Sequence, residues 1–119
     1  MFDELLDELV ARVDGAQGAI LLADDGEAVQ WRPEQEGDQL RLRGAYITVA
    51  LKNWRAAAER LNLGSVGPLV LSYDGALLVI EQIEREYFIV LELNAFANLG
   101  QALFWLPSTV ANLRREFAD

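Results

Sequence analysis

Apolar residues recur along this chain at two spacings, which separate its helices from its strands. Three- and four-residue steps predict a helix over residues 3–13 and a longer one from Gln39 to about Leu61. A third helix is predicted to begin after Asn98, which can cap it. Asp14-Gly15 follows the first helix, as expected for a helix stop.

Five shorter segments are typical of strands. Four are apolar on successive residues, which predicts that both faces are covered: Gly18–Ala23, Pro68–Tyr73, Ala76–Ile83 and Tyr87–Leu93. Glu27–Arg32 instead alternates apolar and polar residues, which predicts a half-exposed strand at a sheet edge.

The predicted order of elements is α-β-β-α-β-β-β-α in a single domain, residues 1–119. Asp74-Gly75, a pair preferred in type I′ hairpins, joins two of the strands. We therefore expect an α+β fold with one five-stranded antiparallel sheet. The first and last helices should cover one face and the central helix the other. Pro107 lies within the last helix and should kink it.

The central helix has two apolar faces. Its broad face should pack on the sheet and comprises Tyr46, Ile47, Ala50, Leu51, Trp54, Ala57, Ala58 and Leu61. Its narrower stripe comprises Leu42, Ala45, Val49 and Ala56. A second stripe needs a second partner, and small residues allow two helices to approach closely, so we predict contact with another copy. The alternative is that the alanines only favour helix formation on a solvated face.

The third strand supports the same prediction. Leu69, Val70 and Leu71 lie on a strand that the predicted order places at a sheet edge, with only Pro68 to weaken it. An edge strand that is apolar on both faces favours pairing with another chain. We therefore assign Leu42, Ala45, Val49, Ala56 and Leu69–Leu71 to a predicted dimer interface.

The amino-acid composition argues against several classes of function. The 119 residues include 10 Lys and Arg against 19 Asp and Glu, a net charge of −9. This charge argues against a nucleic-acid footprint and against an anionic membrane surface. With no Cys and no His, disulfides, thiol catalysis, His bases and His or Cys metal sites are excluded. An acidic N-terminus and strand-sized apolar runs predict a cytoplasmic protein without a signal peptide or membrane span.

Several segments also resemble the Roadblock / dynein light chain family over most of the chain. They are Val13-Asp14-Gly15-Ala16-Gln17-Gly18-Ala19, Asp25-Gly26, the alanine-rich central helix, Asp74-Gly75, and Asn98-Leu99-Gly100 followed by Leu103-Phe104. Two features depart from the family pattern: Pro107 in the last helix, and a set of three tryptophans, Trp31, Trp54 and Trp105.

The resemblance implies a profilin- or longin-like sandwich that is not an enzyme and uses no cofactor or metal. Family members form homodimers or paralogous heterodimers in which the central helices pack together and the third strands pair. The dimer serves as a platform for small Ras-like GTPases or as a subunit of motor and signalling complexes. Some bacterial members accelerate GTP hydrolysis by repositioning residues of the GTPase itself. We therefore expect a homodimeric scaffold or regulator of a small GTPase.

Four residues are the main candidates for contact with such a partner, and Arg32 is a fifth. Arg41 and Arg43 lie near the start of the central helix, and Arg32 at the end of the second strand is a weaker candidate. Such arginines are often only solvated or paired with surface acids. Phe104 and Trp105 fall off the apolar stripe of the last helix, so one of them is expected to be exposed. Alternatively, a kink at Pro107 turns both against the first helix.

Two other functions stay open from the sequence. A small-molecule sensing module would need a pocket lined by Trp31, Trp54 or Tyr46, although Trp31 and Trp54 are expected to pack in the core. A structural subunit would need no GTPase. A hydrolase is disfavoured because the paired acids, Asp24/Asp25 and Glu84/Glu86, lie in predicted turns. A phosphate-binding loop is disfavoured because the single lysine, Lys52, lies in the middle of a helix.

Overall fold

A computed structural model describes residues 1–118 of the chain. It contains three helices and five strands: α1 (Phe2–Arg12), β1 (Ala16–Ala23), β2 (Ala28–Arg32), α2 (Gly37–Arg60), β3 (Leu69–Ser72), β4 (Ala76–Glu84), β5 (Tyr87–Asn94) and α3 (Leu99–Ala118). The predicted order of elements is confirmed. One difference is a single 3₁₀ turn, Glu34–Glu36, where a polar loop was expected.

The five strands form one antiparallel sheet in the order β2-β1-β5-β4-β3. The most continuously apolar strands, β1 and β5, pair with each other near the centre, with Ile20 opposite Val90. The alternating strand β2 and the short strand β3 form the two edges. Both predicted edges are confirmed.

Alternate residues of the central strands supply two separate cores. Leu21, Ile89 and Leu91 face α1 and α3, whereas Ile20 and Val90 face α2. This confirms the predicted layers, with the first and last helices on one face of the sheet and the central helix on the other. Among residues 1–118, none of the three helices has both the length and the apolar character that crossing a bilayer requires.

The turn after α1 packs closely on the segment that leads into α3. Gly15 has a φ of 89°, and a Cβ atom at this position would lie 2.5 Å from Ala97 Cβ. The Gly15 carbonyl accepts a hydrogen bond from the Asn94 N–H at 2.9 Å. A glycine is therefore required here both for its φ and for the close approach of Ala97.

Asn98 caps α3, as predicted, by accepting a hydrogen bond from the Gln101 N–H at 3.0 Å. The Gln101 side chain does not return to the cap. Its Oε1 accepts instead from the Asp14 N–H at 2.8 Å, while the Asn98 N–H donates to the Asp14 carbonyl at 3.0 Å. Asp14 therefore joins the end of α1 to the start of α3.

One local prediction needs correction. The Asp74-Gly75 hairpin forms and is closed by a hydrogen bond from the Tyr73 N–H to the Ala76 carbonyl, but neither turn residue has a left-handed φ, as type I′ would require. The helix α3 continues through Pro107, and the kink predicted there stays a prediction. Its buried residues stay on one face on both sides of the proline, so packing against the sheet maintains the helix.

Candidate functional site

The rotation of α2 about its axis is set by a close contact with the sheet. Gly44 is buried, and a Cβ atom there would lie 2.8 Å from Leu22 Cδ1. The neighbouring buried residues of the helix, Leu40, Ile47 and Leu51, lie on the same side. Because a glycine permits the closest approach, the side of α2 that carries Gly44 faces inward.

This rotation corrects the prediction for the broad face of the helix. Tyr46 and Trp54, which were expected in the core, are 74% and 55% exposed, and Leu61 is exposed as well. The hydrophobic periodicity predicted that these large residues are buried. It took no account of Gly44, which has no side chain. The inward face is narrower and includes small residues, so the larger apolar side chains point outward.

The predicted second stripe lies in solvent on this chain. Leu42 and Val49 are 62% and 61% exposed, and Ala45 and Ala56 are exposed too. Together with the two large aromatics they form the outward face of α2, which comprises Leu42, Ala45, Tyr46, Val49, Trp54 and Ala56. Several exposed apolar side chains on one helix are typical of a protein interface.

The strand β3 presents a backbone edge to solvent, but not all of its side chains. Leu69 and Leu71 are half-buried against the core beneath α2, whereas Val70 points to the other face and is exposed. The expectation that both faces are covered is wrong for this strand, because Val70 has no layer above it. A second chain could therefore contact β3 through its unpaired backbone edge and through Val70.

Arg41 is held by its own helix. Its Nε donates to the Gly37 carbonyl at 3.2 Å, and its guanidinium pairs with Asp38 at 2.8 Å. The same guanidinium lies 4.8 Å from the centre of the Trp31 ring, a cation–π contact. Trp31 is half-buried against the core beneath α2, as expected. Arg41 therefore presents an ordered positive charge beside the β2 edge.

Arg32 forms ion pairs with acidic residues of its own chain. It pairs with Asp3 at 3.1 Å, with Asp7 at 3.3 Å and with Glu34. These acids lie on α1 and on the 3₁₀ turn, so Arg32 ties the β2 edge to the helix beneath it. Of the three arginines considered from the sequence, it is the least free to meet a partner.

Arg43 contacts a buried acid that sequence reasoning missed. Glu92 on β5 is 4% exposed, and its Oε1 accepts from Arg43 at 2.5 Å. Its other oxygen, Oε2, is buried without a hydrogen-bond partner. Burial raises the pKa of Glu92, the charge of Arg43 and its hydrogen bond oppose this, and the charge of Glu36 adds to it. The sequence did contain one indication of this contact, because Glu92 is a single acidic residue within an otherwise apolar strand.

The raised pKa of Glu92 has a consequence for stability. An acid with a raised pKa in the folded state stabilises the fold fully only below its ordinary pKa, and this contribution is lost as pH rises through the raised pKa. We expect Glu92→Gln to unfold at a higher temperature than the parent at pH 7, with the difference vanishing near about pH 4. Thermal unfolding at both pH values measures this.

A lower unfolding temperature for Glu92→Gln at pH 7 would show that the ion pair with Arg43 outweighs the cost of burial. Glu81 provides a matched control. Glu81 is half-buried, and burial raises its pKa as well, but its nearby positive charge is Arg114 on the other side of the sheet. Because Glu81 and Glu92 lie on opposite faces, they do not form a pair of acids that acts on one substrate.

A second exposed apolar surface, the α3 patch, comprises Phe96, Leu103 and Phe104. Phe104 is 71% exposed, and Phe96 is almost fully exposed in the loop before α3. Trp105 is half-buried and packs edge-on against Phe104 at 5.0 Å, with the Arg12 guanidinium 4.4 Å from its ring centre. Of the predicted aromatic pair, Phe104 is therefore the exposed one. Phe96 was missed because it lies outside any periodic segment.

The four predicted partner residues do not form one site on a single chain. Arg41 and Arg43 lie on α2, whereas Phe104 and Trp105 lie on α3 on the opposite face of the sheet. A partner that contacts one pair cannot reach the other pair of the same copy without passing around the sheet edge.

The paired acids considered from the sequence lie in or beside hairpin turns. Asp24 pairs with Arg55, and Glu84 and Glu86 flank the turn between β4 and β5. Within residues 1–118, no group of three or more acids, histidines or cysteines is placed to hold a metal ion. Tyr46 lines an open cleft of about 510 Å³, whereas Trp54 is exposed to solvent.

Several solved structures share this architecture, although no match is found by sequence. No family model and no curated protein sequence matches the chain. Among solved structures, the Roadblock/LC7 domain from Streptomyces avermitilis matches with a TM-score of 0.90 and 21% identity over 98% of each chain. MglC from Myxococcus xanthus matches with a TM-score of 0.71 and 27% identity over 97% of this chain and 98% of that one.

The gliding protein MglB from Thermus thermophilus is also similar, with a TM-score of 0.82 and 18% identity over 96% of this chain and 86% of that one. These structures define a class of α+β proteins with a five-stranded sheet between one helix and a helix pair. The chain has the Roadblock/LC7 fold, and the resemblance drawn from its sequence is confirmed.

Proposed function

We propose that this chain is a non-enzymatic scaffold that forms a dimer and binds a small Ras-like GTPase. The second copy is an identical chain or a paralogue, and the complex acts in the cytoplasm without a cofactor or metal. The dimer is the platform, and the GTPase carries the nucleotide chemistry.

The observation that carries the dimer is the outward face of α2. Its large side chains, Leu42, Tyr46, Val49 and Trp54, are all more than half exposed on one chain. Covering such side chains is worth roughly 1.5–3 kcal/mol each if they are fully buried. Ala45 and Ala56 on the same face leave room for a second helix to approach closely.

The edge strand β3 supports the same arrangement. It has one neighbour, β4, so its other edge carries backbone N–H and C=O groups without strand partners. Pairing of two β3 strands would extend the sheet across both copies while the outward faces of α2 meet. Self-association also occurs in a protein with this fold, since one similar structure is of MglB in a tetrameric arrangement.

The proposal that the partner is a GTPase rests on the family resemblance. Two surfaces of this chain are available to contact such a partner. Arg41 presents an ordered charge on the α2 side, and the α3 patch presents Phe104 on the other side. Exposed aromatic and arginine side chains are the residues that most often anchor protein interfaces. A structural subunit without a GTPase would use the same surfaces for a different protein.

Binding of the purified chain to small Ras-like GTPases of the same cell tests this proposal. We expect a complex in at least one nucleotide state, with the GDP- and GTP-analogue-loaded forms titrated separately by calorimetry. Either Arg41→Ala or Phe104→Ala should weaken the complex by about tenfold or more, because loss of an interface anchor costs at least about 1–2 kcal/mol.

Each of these two variants is the control for the other, because the residues lie on opposite faces of the sheet. Weakening by one alone identifies the face that the GTPase contacts. If neither variant changes the affinity, these residues are not the anchors. If no GTPase binds in either state, the GTPase part of the proposal is wrong, although the dimer can still be present.

A further inference from the structure

The α3 patch belongs to the longest stretch of the sequence without a charged residue. This stretch runs from Leu93 to Leu113, in a chain whose net charge is −9. It includes Phe96, which is 98% exposed, and Phe104, which is 71% exposed. Packing within one copy leaves both rings mostly in solvent, and an exposed apolar surface of this kind marks an interaction site.

The exposed apolar positions of α3 lie along one side of its first half. They are separated by three- and four-residue steps, which bring side chains to the same side of a helix: Gly100, Leu103, Phe104 and Pro107. Gly100 has no side chain, so a second helix can approach closely there. The spacing is therefore that of a contact between two helices.

The two α3 helices lie near the middle of one face of the proposed dimer. Within one copy α3 packs over β4, next to the β3 edge, whereas α1 packs over β1 and β2. If two β3 edges pair while the α2 helices meet on one face, the two-fold axis is perpendicular to the sheet. Both α3 patches then lie on the opposite face, beside the axis, with the α1 helices outside them.

The distribution of charge on this face favours a second dimer of the same chain as the occupant. The outer side of α1 carries the exposed acids Glu4, Asp7 and Glu8, whereas the α3 patch carries no charge. In a two-fold contact each surface meets a copy of itself, so acids would meet acids on α1, at a cost in repulsion. Contact between α3 patches avoids this cost. A basic partner would be drawn to the acids of α1 instead.

The α3 patches are large enough for a stable contact between two dimers. Each copy brings Phe96 and Phe104, both mostly exposed, and a covered phenylalanine buries about 150–250 Å². The rings of four copies together bury on the order of 1,000 Å², which is about the minimum for a specific interface. Two single copies would bury about half of this area, too little for a stable contact.

We propose that two dimers of this chain associate face to face through their α3 patches into a tetramer. The contact joins Phe96, Leu103 and Phe104 of each copy to the same residues of facing copies. The tetramer is closed, because both patches of one dimer are covered by the other dimer. The inference rests on the proposed dimer but not on the GTPase, and it leaves the α2 side, with Arg41, as the surface for the GTPase.

Analytical ultracentrifugation over a range of concentrations tests this inference. We expect the parent chain to be a dimer at low concentration and to reach four times the 13.3 kDa of one copy as the concentration rises. Phe104→Glu places unpaired like charges in the contact and should raise the dissociation constant of the tetramer by about 100-fold or more, while the dimer is kept. Val29→Glu adds the same charge at an exposed valine of the β2 edge and should leave the tetramer unchanged.

A second variant guards against a general effect on folding. Phe96→Ala removes a ring that is almost fully exposed, so the fold does not depend on it. We expect it to weaken the tetramer by about tenfold or more, as for loss of an interface anchor. Thermal unfolding of both variants confirms that they are folded.

Salt provides a readout that depends on the kind of contact. The α3 patch is uncharged while the copies are acidic, so salt screens their repulsion and should strengthen the tetramer. A contact built from ion pairs would weaken instead. Dissociation of the tetramer by salt would therefore overturn the inference.

The remaining outcomes separate this inference from the proposed dimer. A parent chain that stays dimeric at every concentration overturns the tetramer, keeps the dimer and leaves the α3 patch to a different protein. A chain that is monomeric throughout shows that the proposed dimer is wrong, and the tetramer with it. A tetramer that resists both Phe104→Glu and Phe96→Ala uses another surface, which also overturns the inference.

Discussion

Replacing Val49 by arginine is expected to convert a dimer of this chain into a folded monomer. Val49 lies at the middle of the outward face of α2 and is exposed on a single copy. In a two-fold dimer the change places two unpaired charges in the contact, and like charges across an interface cost several kcal/mol. The dissociation constant should rise by about 100-fold or more.

Analytical ultracentrifugation measures this result directly, because one copy is 13.3 kDa and the dimer has twice that mass. Val29→Arg is the matched control: it introduces the same side chain at an exposed valine on the opposite edge of the sheet. We expect this control to remain dimeric. A persistent dimer with Val49→Arg would show that the outward face of α2 is not the interface.

Val70→Lys on β3 separates the two parts of the predicted interface. It should weaken the dimer less than Val49→Arg, because the lysine side chain can extend into solvent while the backbone edge still pairs. The same sedimentation experiment measures the effect. If Val70→Lys dissociates the dimer and Val49→Arg does not, the contact is made by strands alone.

The second large effect is expected from Gly15→Ala, which should destabilise the fold by about 3 kcal/mol or more. An alanine at a φ of 89° is strained, and its Cβ would lie 2.7 Å from the Ala97 Cα, which belongs to the backbone. Relief requires the start of α3 to move away from the turn that follows α1. For a chain of this size the midpoint of thermal unfolding should fall by about 10 °C.

Gly26→Ala isolates the steric part of this effect. Gly26 has nearly the same φ, 91°, but a Cβ there would meet nothing closer than 3.9 Å, an ordinary contact. We expect this control to cost only the strain of the backbone, about 1–2 kcal/mol. Equal losses of stability in the two variants would show that the approach of Ala97 to Gly15 contributes nothing.

The central helix shows how far sequence periodicity could lead. It correctly predicted that α2 has two apolar faces and that Leu42 and Val49 lie together on the second one. It failed for Tyr46 and Trp54, because a hydrophobic pattern weighs side chains by size and polarity alone. The inward face is instead decided by fit, and Gly44 allows a contact with Leu22 that no larger residue could make.

The candidate binding residues show a related limit. The exposure of Phe104 was partly predictable, since it falls off the apolar stripe of its own helix. The contact between Arg43 and Glu92 was not, because the two residues are 49 positions apart and meet only through the packing of α2 on β5. The unpaired oxygen of Glu92 is likewise visible only when every neighbour is in place.

The sequence by itself determined the helices, the strands, their order and the edges of the sheet, because periodicity and turn residues act over a few positions. Only the tertiary structure decided which side of α2 faces solvent and which residues surround Glu92. Both depend on how one helix is rotated over a sheet, and that rotation minimises the free energy of all the packed residues together.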